Sequence, residues 1–147
     1  MQLKDFTDQQ NTVLFGLAVR LTLADDTVPL GEDRRIAQLR ERIGLDLKAD
    51  MNDIYSDSNV GLFDSPPARR RVLYELLLLA HADQRLDPRE LMVIDGLSKA
   101  MSVPAEEVAL LKSLAEEESD IDRNGATAQQ RASFNTKVAR QIEHGTP

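Results

Sequence analysis

The sequence predicts an all-α protein, a compact bundle of about seven helices built from two pseudo-symmetric helical hairpins. Three observations carry that expectation. Apolar residues recur at spacings of three and four along most of the chain, no segment sustains a period-two alternation, and helix-start signatures precede the apolar stripes.

Thr7-Asp-Gln-Gln10 has capping-box spacing and leads into the stripe Val13, Leu14, Leu17, Ala18 and Leu21, the first helix. Ile36, Leu39 and Ile43 mark a second helix from about Gly31, which Gly44 stops. A weaker segment runs from Leu47 to about Tyr55. The Gly, Asn, Asp and Pro residues of SDSNVGLFDSPP then read as a loop. Ser65-Pro66-Pro67 opens a helix to about Ala82 whose leucines, Leu76 to Leu79, are wider than a single stripe, so it is expected at the centre of the core. Asp87-Pro88-Arg89-Glu90 combines an N-cap, a first-turn proline and a capping-box acid ahead of Leu91, Ile94, Leu97 and Met101. Pro104 starts a helix with the stripe Val108, Leu111 and Leu114, fading into Glu116-Glu117-Glu118. Thr127-Ala-Gln-Gln130 caps a last helix, about 127–143, with Phe134, Val138 and Ile142 on its apolar face.

At 147 residues and 41% hydrophobic, the chain is read as one domain over 1–147. A net charge of −7 argues against nucleic acid as a partner, because non-specific binding runs on Lys and Arg. The absence of cysteine removes disulfides and thiolate metal sites. MQLKDFTDQQ lacks the apolar run of a signal peptide, and VLYELLLLAHA (72–82) is too short to span a bilayer and contains Glu75 and His81. The expected setting is cytoplasmic.

An internal repeat organises the chain. Shifted by 58 positions, the separation of Asp25 and Asp83, ADDTVPLGEDRRIAQLRERIGL lies over ADQRLDPRELMVIDGLSKAMSV. Ala24 matches Ala82, Asp25 matches Asp83, Glu32 matches Glu90, Ile36 matches Ile94 and Leu39 matches Leu97. The repeats span about 13–45 and 71–103. Two such hairpins packed about an approximate two-fold axis would bring four acids toward one another. Asp83 prompts the question of what those acids do: at a helix C-terminus the macrodipole disfavours a carboxylate.

The pattern ADDTVPLGEDRRI and ADQRLDPRELMVI, followed by SVPAEEV, resembles the TerB-like domains, the family of the tellurite-resistance protein TerB, over roughly Val13 to Leu114. Asp26 and Gln84 stand where members usually have Gly. The resemblance implies an all-α bundle of two related hairpins. It also implies a non-enzymatic adaptor that meets a protein partner in a stress-response complex at the membrane inner face, and a divalent cation, Ca²⁺ or Mg²⁺, held by acids. The matching positions are Asp25, Glu32, Asp83 and Glu90. The alternative is architectural: Glu32 and Glu90 occupy first helical turns, where acids are favoured anyway, and the aspartates bond loop amides.

Other candidates are weaker. DIDRNG (120–125) matches the opening of a calcium loop, but the twelfth position is Arg131 rather than a bidentate glutamate, which favours a polar turn. His81 is a possible ligand or a packed side chain. Arg69-Arg70-Arg71 would contact phospholipid or pair with local acids. No phosphate loop or nucleophile elbow is present. The competing readings are a small-ligand receptor or enzyme using the same acids in a cleft, recognisable by a pocket holding a carboxylate of raised pKa, and a purely structural homodimer.

Overall fold

The computed structural model describes residues 1–25, 34–43, 58–81 and 87–145. Among these the regular structure is entirely helical, in six α-helices: α1 (Asp8–Asp25), α2 (Arg34–Ile43), α3 (Pro66–His81), α4 (Pro88–Ala100), α5 (Ala105–Asn124) and α6 (Ala128–His144). Short 3₁₀ turns at Leu3–Asp5 and Ser58–Leu62 precede α1 and α3. The weak helix expected at 47–55 lies outside the described residues, as does the start of the second helix before Arg34.

The local chemistry of the helix starts is that of the sequence. Thr7 Oγ1 accepts from Gln10 N at 3.1 Å while Gln10 Oε1 accepts from Thr7 N at 2.9 Å, and Thr127 and Gln130 repeat the box ahead of α6. Asp87 caps α4 by accepting from Arg89 N at 2.8 Å. Each bond satisfies an amide that the first helical turn leaves without an intrahelical acceptor.

Packing centres on α3. It lies most extensively along α5 and also touches α1, α4 and α6. Val72, Leu73, Tyr74, Leu76, Leu77, Leu79 and Ala80 are all buried, so the helix is enclosed on most sides, as the leucine run predicts. Full burial of each such leucine contributes about 1.5–3 kcal/mol. Helix α1 is enclosed as well, because Phe15 and Val19 are buried along with its expected stripe. The breaker region carries an unexpected core residue: Phe63 is fully buried, with its ring centroid 5.6 Å from that of Phe6.

The arginines at the start of α3 are committed within the molecule. Arg69 donates to Phe63 O at 2.8 Å and Arg71 to Met1 O at 2.8 Å. Arg70 donates to the C-terminal carbonyls of α6, Ile142 O and Glu143 O, and to Glu107 Oε1 at 2.9 Å. That arrangement satisfies carbonyls that a helix end leaves open. Gly145 ends α6 in the left-handed region, φ +73°, with Arg70 Nη2 2.7 Å from where a Cβ would stand and Glu107 Oε1 closer still. Gly145→Ala is therefore expected to lose about 1–2 kcal/mol from backbone conformation alone, and more as the Arg70–Glu107 pair is displaced. Urea unfolding of the two proteins measures it.

Helix α5 corrects a boundary. It does not fade at the acidic run but continues to Asn124, where Gly125, φ +80°, closes it with its N–H on Ile121 O. Several of its acids have partners: Lys137 of α6 pairs with Glu117, Arg123 with Asp120, and Tyr74 Oη of α3 donates to Glu118.

Candidate functional site

Helix α2 is rich in charge, yet it docks on the bundle. Arg35, Leu39 and Arg42 fall on one face by their spacing of four and three. Leu39 enters the core, and Arg40 stacks its guanidinium 5.2 Å from the Phe15 ring centre. The two flanking arginines meet buried carboxylates. Arg42 grips Glu75 of α3 as a fork, Nη1 to Oε2 at 2.9 Å and Nη2 to Oε1 at 3.1 Å. Arg71, one turn before Glu75, adds Nη1 to Oε1 at 3.1 Å. Glu75 is 1% exposed, so this carboxylate sits inside the protein between two guanidinium groups. Arg35 donates to Leu79 O at 2.9 Å and to both oxygens of Glu90, at 3.3 and 3.4 Å. A buried carboxylate is tolerated where such pairing replaces its lost hydration.

Glu90 is thus the expected metal-set residue that can be placed, fully buried in the first turn of α4 against Arg35. The Asp25 side chain, Glu32 and Asp83 lie outside the described residues. Arg35 across both of its oxygens already gives Glu90 a positive partner, so a cation at this carboxylate would compete with the guanidinium. Among the described residues, no group of three or more His, Asp and Glu is disposed to hold a metal ion.

The calcium-loop resemblance at 120–125 gives way to geometry. Asp120 and Asp122 belong to α5 rather than to a turn, and Asp122 pairs with Arg131, the residue in the place of the twelfth-position glutamate. A helical backbone cannot wrap its carboxylates around one ion as a twelve-residue loop does. His81, at the end of α3, accepts Ser119 Oγ at its main-chain carbonyl, and burial lowers the pKa of its imidazole.

Beside the arginine–glutamate pairs, α2, α3 and α5 enclose a cleft of about 760 Å³, whose lining includes Arg42, Glu75, Leu79, Glu118 and Asp122. Glu118 accepts from Tyr74 Oη at 3.1 Å. Burial pushes the Glu118 carboxyl above the ordinary glutamate range; the Tyr74 hydrogen bond opposes this, while Asp122 and Glu75 add to it. Burial likewise pushes the Tyr74 phenol up, helped by Glu118. Chemically, the pair sets a carboxyl that holds its proton more tightly than an ordinary glutamate next to a phenol that stays neutral. Sequence reasoning missed both residues; the only signal was an acid set inside a helix already rich in them.

The sign of the pH effect follows from the raised pKa. Folded protein holds the Glu118 proton more tightly than unfolded protein, so stability falls as pH rises from the ordinary glutamate range through the raised value. Glu118→Gln is expected to match wild type below the ordinary range and to be more stable at neutral pH. The gain should be less than about 1 kcal/mol, since solvent still screens the side chain. Thermal melts from pH 4 to 8 would show it, and an unchanged difference across that range would contradict it.

No helix among the described residues is long and apolar enough to cross a membrane. No protein-family model matches the chain, and neither a curated protein nor a solved structure is similar enough to it to count as a match.

Proposed function

We propose that the chain is a non-enzymatic adaptor domain of the TerB-like kind, working in the cytoplasm with a protein partner in a stress-response complex. The observation that carries the reading is the use of its buried acids. Glu75 and Glu90 are each paired with arginine and join α2 to α3 and α4, which is the role of a scaffold rather than of an acid–base centre. The in-register repeat supports the finer arrangement, seven helices in two hairpins about an approximate two-fold axis: its matched leucines, Leu39 and Leu97, are both buried. A Ca²⁺ or Mg²⁺ ion at Asp25, Glu32, Asp83 and Glu90 belongs to the same reading, and requires Glu90 to exchange Arg35 for the ion.

A second reading, a small-ligand receptor, is favoured by one observation, the cleft holding Glu118 with its raised pKa. Cross-linking in the native cell, with native mass spectrometry of the purified chain, separates the two. The adaptor predicts a stoichiometric cross-linked protein and no retained small molecule. A retained small molecule without a protein partner would overturn it. Melting with added Ca²⁺ or Mg²⁺ tests the ion, because a ligand bound only by the folded state raises the melting temperature by mass action.

A further inference from the structure

A groove that shares no lining residue with the cleft runs between α4 and α5, over α3. Its volume is about 350 Å³. Met92, Ile94 and Asp95 of α4 line one wall, Val108 and Lys112 of α5 the other, and the buried Leu77 of α3 the floor. Met92 is 73% exposed, more than any other large apolar side chain among the described residues. An apolar knob thus stands beside an apolar hole. Across the groove, Asp95 pairs with Lys99 on the surface of its own helix, while the half-buried Lys112 makes no ion pair among the described residues. Gly96, one turn beyond Met92 on the exposed face of α4, has nothing within 4 Å of where a Cβ would stand. Packing within the chain does not require glycine there, and glycine inside a helix is less stable than alanine. A second backbone lying close over α4 accounts for it.

The patch is complementary to itself. A two-fold axis running along the groove sets α4 of one copy over α5 of the other. Because Asp95 and Lys112 line the same cavity from opposite walls, each then faces the other across the interface, in two equivalent pairs. Met92 of each copy meets the Val108 wall of the other. An isologous contact requires one patch to supply both complements, and two-fold dimers are the commonest soluble oligomers. A net charge of −7 makes copies of this chain repel in most orientations. The exposed charges of α4 are Arg89, Asp95 and Lys99, so this face carries none of the acidic excess.

We propose that the α4–α5 groove is the face through which the chain associates with a second copy of itself, as a two-fold dimer held by Met92 and by reciprocal Asp95–Lys112 pairs. This contact is independent of the adaptor reading.

The test is sedimentation equilibrium of the full chain, whose monomer is 16.4 kDa. A patch of this size predicts a weak dimer, with Kd on the order of 10–100 μM. Met92→Lys, at an exposed site that the fold does not use, should weaken it by about tenfold or more. Asp95→Lys and Lys112→Glu should each be monomeric alone, because each sets like charges opposite one another. Mixed in equal amounts, the two variants should form a dimer about as tight as wild type, since each supplies the charge that the other lacks. Wild type that stays monomeric up to about 1 mM would overturn the proposal. So would a dimer that Met92→Lys leaves intact, or a mixture no more associated than either variant alone. In the cross-linking experiment a self-contact yields peptides of this chain alone, and an adaptor's partner yields foreign ones, so either reading can fail without the other.

Discussion

Glu75→Gln is expected to destabilise the protein by about 3–5 kcal/mol, the range for removing one member of a buried ion pair. The loss comes less from the missing attraction than from what stays behind. Arg71, 13% exposed, remains inside with its cation–π contact to Tyr74 and its bond to Met1 O, but without a carboxylate. Arg42, about half exposed, can turn to solvent, which puts the expected value toward the lower end. Glutamine is close to glutamate in size, so cavity formation contributes little. Urea denaturation at constant m-value gives the number, and a change under about 1 kcal/mol would place the charge of Glu75 outside the stability of the fold.

Leu39→Ala is the second large effect, about 2–4 kcal/mol. Leu39 is a buried apolar residue on the same face as Arg35 and Arg42, and its truncation makes α2 depend more on its arginine pairs and on the partly buried Ile43. The loss should also be local at first. Amides of α2 are expected to exchange with solvent well before those of α3, because α2 is short and highly charged whereas α3 is enclosed. Equal acceleration of both helices would mean that α2 opens only with the whole domain.

Short-range chemistry made much of the fold legible. The Thr7 and Thr127 capping boxes, the Asp87 cap, the leucine-rich centre of α3 and the stripe Phe134, Val138 and Ile142 each depend on residues within a turn or two of one another. The partnerships of the acids depend on distance along the chain. Glu75 meets Arg42 and Glu90 meets Arg35 across separations of 33 and 55 residues, which no local period encodes. The clue available was the spacing of Arg35, Leu39 and Arg42, which sets two arginines beside the apolar residues Leu39 and Ile43 that pack on the core. Helix α5 was foreshortened for the same reason: its acids read as a stop until Lys137, Tyr74 and Arg131 from other parts of the chain are brought alongside. Phe63 shows the converse, a core aromatic in a stretch whose Gly, Asn and Pro residues signal only a turn. Of the four acids singled out by the repeat, Glu90 has an architectural partner in Arg35.

The claim that buried acids fasten α2 to the bundle is tested most directly by a double-mutant cycle of Arg42→Met and Glu75→Gln, read by urea unfolding. A fork with both bonds formed on a buried carboxylate predicts a coupling of at least about 1 kcal/mol, with the double mutant losing less than the sum of the single losses. A coupling within about 0.3 kcal/mol of zero would contradict the claim for the Arg42–Glu75 fork.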